Sequence, residues 1–317
     1  MTPAWGELLL LNRNDVAAVL RASDLLQPLA RALVGYSQGR ADSPPRAGAR
    51  APGGWLGAMP GYLAEDGLAA KLVTVFPENS TRDQPSHQGV VALFDAEDGR
   101  PLCVLDAGQI TAVRTAAVTA LSVRELARPD AGVLAVLGSG EQARSHLELL
   151  PSVGQFQEVR LAARRPERAA AVAALRPGTR ASGSFEEAVR GADVVICCTN
   201  AQEPVVQSRW LGRGVHLVSV GMGPELGHST LAGCHLFVEW RGAVASPPPA
   251  GAVELQGLDP ASATELGEVL AGSAPGRLST SELTVFKSTG LAVEDVAAAR
   301  VVFEAALRQG VGIGVRW

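Results

Sequence analysis

The stretch VLAVLGSGEQARSHLELL (133–150) decides the fold. Five apolar residues lead into Gly138-Ser139-Gly140-Glu141-Gln142-Ala143, and an amphipathic run follows. The order predicts a strand, a tight turn and a helix that together cradle a dinucleotide. The first glycine permits the turn, the second lets the backbone approach a pyrophosphate, and Ala143 is small enough for close helix–strand packing. The phosphate charge would then sit at a helix N-terminus, where free N–H groups and the macrodipole favour an anion.

Five further apolar runs follow: VRLAAR (159–164), ADVVICCT (192–199), HLVSVG (216–221), HLFVEW (235–240) and LTVFKS (283–288). Short runs without polar alternation suit strands covered on both faces, and RPERAAAVAALR (165–176) and SFEEAVRGA (184–192) suit crossover helices. The expected class is α/β, a Rossmann-type doubly wound parallel sheet with a smaller α+β domain. That smaller domain comes from the first part of the chain: a helix over 14–36, a Pro/Gly/Arg-rich stretch at 43–54, then strand-like WLGAM, AAKLVTVF and GVVALFD. A helix over 110–128, ending before Pro129, joins the two, and an amphipathic helix over 291–310 returns to the first. The expected division is 1–115 with 291–317, and 116–290. The proline-rich stretch at 245–253 reads as a loop interrupting the sheet domain.

With 28 basic and 32 acidic residues, a formal charge of −4 leaves no net basic field for nucleic acid or an anionic membrane. No apolar run reaches the roughly 18–20 residues of a membrane span, and no signal-peptide pattern opens the chain, so a cytoplasmic protein is expected. Cys103, Cys197, Cys198 and Cys234 are too few and too irregular for a disulfide framework and read as reduced core thiols. The five histidines lack metal-ligand spacing, so no metal is expected.

Three positions carry out-of-place charge. The tip of the second strand, Ala163-Arg164-Arg165-Pro166, has guanidiniums where a carboxylate would bind a ribose 2′-hydroxyl. Arginine holds a 2′-phosphate instead, so NADPH is expected, with NADH the alternative. Arg114 has Ile110, Thr111, Ala117 and Val118 as helical neighbours and no acidic residue one turn away, which points to a substrate carboxylate as its partner. Lys71 lies within apolar GLAAKLVTVF, where an ammonium either shifts its pKa or pairs with a carboxylate.

GAMPGYLAEDGLAAKLVTVF (57–76), PSHQGVVALFD (85–95), VLDAGQITAVRTAAVTAL (104–121), LGSGEQARSH (137–146), GADVVICCT (191–199) and ELTVFKSTGLAVEDVAAA (282–299) cover much of the chain. On these pieces the sequence resembles the ornithine cyclodeaminase/mu-crystallin family, most closely its ketimine-reductase branch. The resemblance implies a homodimer whose N-terminal part and C-terminal helix form a substrate-binding and dimerisation domain. It also implies an enzyme that reduces 2-imino carboxylic acids to L-amino acids by hydride transfer from NADPH. Lys71, Arg46 and Arg114 fall on the family's catalytic and carboxylate-binding set, which promotes Arg46 from an unremarkable loop charge. Arg164 falls on the 2′-phosphate contact, and Thr199, Val220 and Ser288 fall near the nicotinamide or substrate.

One segment departs from the family pattern. GMGPELGHSTLAG (221–233) is short, and Glu225 is nearest the aspartate that is catalytic in cyclodeaminases. Reduction of an electrophilic imine needs no strong base, whereas deamination does. The alternatives are a cyclodeaminase-like lyase, an alanine-dehydrogenase-like enzyme, and a non-catalytic NADPH-dependent binding or crystallin protein.

Overall fold

In the computed structural model, which describes residues 6–82 and 84–316, the chain divides into two compact units. One comprises Met1–Arg114 with Gly290–Trp317, the other Thr115–Thr289. The strands, in chain order, are β1 (Glu7–Leu11), β2 (Ala41–Asp42), β3 (Ala47–Ala51), β4 (Gly54–Leu63), β5 (Gly67–Val75), β6 (His87–Phe94) and β7 (Pro101–Asp106). They continue with β8 (Val133–Leu137), β9 (Glu158–Ala162), β10 (Thr179–Ala181), β11 (Val194–Cys197), β12 (His216–Ser219), β13 (Cys234–Val238), β14 (Thr264–Glu265), β15 (Leu283–Lys287) and β16 (Ile313–Arg316).

The second unit is a parallel sheet in the order β10-β9-β8-β11-β12-β15-β13-β14. From β8 the chain steps outward through β9 to β10, then resumes on the other side with β11. The carboxyl edge between β8 and β11 is therefore the point where the winding reverses, the place such sheets bind ligands. All six apolar runs are strands, because strands covered on both faces carry no polar alternation. The helix Ala107–Leu126 is tied to this unit by two buried imidazoles. Thr119 Oγ1 meets His146 Nε2 at 3.0 Å, and Ser122 Oγ meets His216 Nε2 at 3.2 Å. Burial lowers the pKa of these rings to about 4 and about 3, so both are neutral.

The first unit is a mixed sheet in the order β16-β1-β7-β6-β5-β4-β2, with β3 also paired to β4. Alternation along β4, β5 and β6 separates its faces. Met59, Leu63, Ala69, Val91 and Leu93 are buried, on the side of the helices Ala22–Ser37 and Ala292–Gln309. The other face presents Leu56, Tyr62, Leu68, Leu72 and Val90, with Leu72 and Val90 directly cross-strand and about 40% exposed, at 41% and 40%.

Several expected elements differ. The single helix over 14–36 is two, Arg13–Val19 and Ala22–Ser37. Asn12 caps the first by a reciprocal capping box with Asp15, and Leu20 ends it in extended backbone. The stretch at 43–54 is not all loop, since β3 forms within it by antiparallel pairing to β4. The joining helix runs from Ala107 to Leu126 and not over 110–128. All four cysteines are free, but Cys234 is only partly buried. No helix among the described residues is long and apolar enough to cross a membrane.

Candidate active site

In the second unit, Gly138 follows β8 with φ +140°, and a Cβ there would stand 2.5 Å from the Cys198 carbonyl oxygen. Only glycine fits that turn. A Cβ on Gly140 would meet nothing within 4 Å, so the space before the second glycine is open. Gly140 is also the N-cap of the helix Glu141–Val153 and makes no side-chain cap, and the N-terminus of a helix favours an anion. Ser139, Glu141 and Gln142 surround this turn, while Ala143 is fully buried beneath it. Arg164 and Arg165 are exposed just past β9, and Arg165 occupies the N-cap position before Pro166. The glycine turn, the helix N-terminus without a side-chain cap and the nearby guanidiniums fit the phosphates of a dinucleotide.

Thr199, Val220 and Ser288 follow the carboxyl ends of three neighbouring strands, β11, β12 and β15. Their backbones are pinned from behind. Thr199 donates to Glu225 Oε1 from its N–H at 2.6 Å and its hydroxyl at 2.7 Å. Glu225 Oε2 accepts from Ser219 Oγ and from the Gly221 N–H, both at 2.8 Å. Ser288 Oγ donates to the buried Glu239 at 2.5 Å, and the Thr289 N–H does so at 2.8 Å.

Glu225, nearest in sequence to the cyclodeaminase aspartate, is held among hydrogen-bond donors. Its carboxylate is fully buried and accepts four hydrogen bonds, two on each oxygen, which fills its lone-pair directions. It joins the segments that follow β11 and β12 at the strand ends.

In the first unit, β5 carries Lys71 on the buried face of the sheet, 3% exposed, opposite Met59 and Val91. Its ammonium lies 3.0 Å from Asp295 Oδ1, 2.8 Å from Asp295 Oδ2 and 3.5 Å from Thr111 Oγ1. Burial pulls its pKa down to about 8 against the opposing pull of Asp295. Arg114, 4% exposed, donates from Nη1 to Glu294 Oε2 at 2.6 Å, with Nε 3.4 Å from Asp295 Oδ1. Arg46 donates from Nη2 to the Gly290 carbonyl at 3.3 Å. Gly290 has φ +75°, and a Cβ on it would approach Arg114 Nη2 to 2.7 Å. The three cations expected to act together are thus gathered around Gly290 and Asp295.

The expectation that Arg114 lacks an acidic neighbour holds only along its own helix. Glu294 and Asp295, in the first turn of the helix Ala292–Gln309, reach it from 180 residues away. The pairing makes the buried guanidinium tolerable without any ligand, so a substrate carboxylate would join an existing cluster. Glu294, Asp295 and Gly290 were missed as site residues. Their sequence signals were the segment ELTVFKSTGLAVEDVAAA, which contains all three without assigning them a role, and acidic residues at a helix start, which ordinarily read as macrodipole compensation. Among the described residues no group of three or more His, Cys, Asp or Glu is placed to hold a metal ion.

Residues 7–310 match a family model described as the ornithine cyclodeaminase/mu-crystallin family. Ketimine reductase mu-crystallin of Mus musculus is 40% identical over 311 residues, which cover 93% of this chain and 96% of the relative. The structure of Thermococcus litoralis Delta(1)-pyrroline-2-carboxylate reductase, in complex with NADH and L-proline, is similar with a TM-score of 0.91 at 31% identity. That match covers 97% of this chain and 100% of the other. An archaeal alanine dehydrogenase dimer with bound NAD gives a TM-score of 0.87 at 32% identity, covering 98% of this chain and 99% of the other.

Proposed function

The chain belongs to the ornithine cyclodeaminase/mu-crystallin family, and from that premise we propose that it is an NADPH-dependent oxidoreductase reducing 2-imino carboxylic acids to L-amino acids. The observation that carries this is the convergence of Arg46, Lys71 and Arg114 in the first unit, together with the open glycine turn after β8 in the second. The turn Gly138–Gly140, the helix start at Glu141 and Arg164 would hold the dinucleotide, whose reduced nicotinamide would supply the hydride for the electrophilic imine carbon. Arg46 and Arg114 bind the substrate carboxylate by charge-assisted hydrogen bonds, which fixes the orientation of the carbon to be reduced. Asp295 holds the Lys71 ammonium and Arg114 Nε on one carboxylate and so fixes their spacing. Lys71 donates its proton toward the imine nitrogen and sustains the charged form that accepts hydride. The similarity to a ketimine reductase and a pyrroline-carboxylate reductase supports this chemistry. The saturated hydrogen bonding of Glu225 counts against a deaminase, which must first take a proton from an amine.

The test is NADPH oxidation by the purified chain with 1-piperideine-2-carboxylate and 1-pyrroline-2-carboxylate. Turnover supports the assignment. Release of ammonia from ornithine with no net change in cofactor, and no reaction with the imines, would replace it with the cyclodeaminase.

The preference for NADPH rests on Arg164. Aspartate there sets a carboxylate against the 2′-phosphate, so Arg164→Asp should weaken NADPH by about 10²-fold and leave NADH within a few-fold. Equal losses measured by cofactor titration would remove Arg164 as the discriminator.

The open sheet face supports a homodimer made through the first unit. Leu56, Tyr62, Leu68, Leu72 and Val90 form a contiguous apolar surface of a kind that monomers seldom leave in water. Light scattering should give twice the chain mass, and Leu72→Glu with Val90→Glu should halve it; a monomeric wild type would end this part.

A further inference from the structure

A second buried charge cluster lies at the carboxyl ends of β12 and β15, and the proposed chemistry gives it no task. Lys287, the last residue of β15, is 1% exposed. Its ammonium lies 2.9 Å from Ser219 Oγ, 2.6 Å from the Gly221 carbonyl oxygen and 3.0 Å from Glu254 Oε1. Three donors therefore meet three acceptors. Ser219 Oγ passes the connection to Glu225 Oε2 at 2.8 Å, and Glu225 in turn holds the backbone N–H groups of Thr199 and Gly221. The second oxygen of Glu254 is buried with no hydrogen-bond partner among the described residues.

The cluster contains one cation and two carboxylates. Removing three charges from water is a poor way to close a sheet, since apolar side chains of the same volume do it at lower cost. Its placement suggests a different purpose. Lys287 contacts Ser219 and Gly221, the residues on either side of Val220, at the carboxyl ends of β12 and β15, and its connection reaches Thr199 through Ser219 and Glu225. Fixed charges there act on whatever charge the adjoining ligand carries. The nicotinamide ring is neutral when reduced and cationic when oxidised.

We propose that Lys287 and Glu254 are positioning residues that set the electrostatic balance between the reduced and oxidised cofactor, an inference that rests on the nicotinamide assignment above. Lys287 offsets the two carboxylates and so restrains them from drawing in the cationic ring. Through Ser219 and the Gly221 carbonyl it also fixes the backbone next to Val220. Glu254 acts in the opposite sense, and the pair sets the ratio of the two affinities.

The experiment is a fluorescence titration of the full chain with NADPH and with NADP+. A single charge acting through partly buried protein changes the ratio of the two dissociation constants by about three- to thirtyfold. Lys287→Met should shift the ratio by that factor in favour of NADP+. Glu254→Gln, which keeps the side-chain shape, should shift it in favour of NADPH, and the double variant should return it close to wild type. A cluster that merely held the fold together would weaken both forms alike. Equal loss for the two cofactors, or shifts of the same sign in the two single variants, would overturn the proposal. Glu254→Gln alone decides the matter where Lys287→Met does not fold. If the wild-type chain bound neither form, the nicotinamide assignment would fall and this inference with it.

Discussion

Alanine in place of Arg114 is expected to raise the KM for the imine about 10²–10³-fold while leaving the Kd for NADPH within about twofold. The asymmetry follows from where the side chain sits. Its guanidinium is in the first unit, bonded to Glu294 and close to Asp295, whereas the dinucleotide turn is in the second. Truncation also leaves the buried Glu294 and Asp295 with one cation fewer in the cluster. Breaking such a set costs on the order of 3–5 kcal/mol, so thermal unfolding belongs beside the kinetics. Arg114→Lys separates the two effects, because it keeps the charge and loses the planar fork. A folded Arg114→Ala with an unchanged KM would show that the substrate acid group binds elsewhere.

Lys71→Met should lower kcat by about 10²–10⁴-fold, the usual worth of a positioned proton donor, with a much smaller effect on NADPH binding. Methionine roughly preserves volume, so the packing against Met59 and Val91 is kept. The wild-type pH profile gives an independent check. With its pKa lowered to about 8, Lys71 carries its proton below that pH and gives it up above. Turnover should therefore hold through neutral pH and fall as pH rises past about 8. If Lys71→Met retained both the rate and the same alkaline fall, the titrating group would be a different one.

The second unit was legible because its strands are covered on both faces, so that each appears as an uninterrupted apolar run, and because the turn after β8 demands glycine. The first unit was less so. β1 pairs with β16, some 300 residues away, through Leu10 and Ile313, and neither strand shows a local period that identifies it. β3 lies in a stretch of small, arginine-rich sequence and becomes a strand only through β4. The same limit governed the site. Lys71 and Arg114 stood out because charge is costly in apolar surroundings, but their carboxylates lie on a helix at the other end of the chain. Lys287 ended a recognised strand and still escaped notice, since Ser219, Gly221 and Glu254 come together only in the folded sheet.

Position 290 has no functional group, yet it accepts Arg46 on its carbonyl, lies flat against the Arg114 guanidinium, and adopts a left-handed backbone. A mutational scan should accordingly find this loop residue as intolerant of replacement as the arginines themselves, with even alanine excluded. Any retuning of substrate choice would then have to come from the side chains around a single hydrogen atom, the smallest side chain in the site.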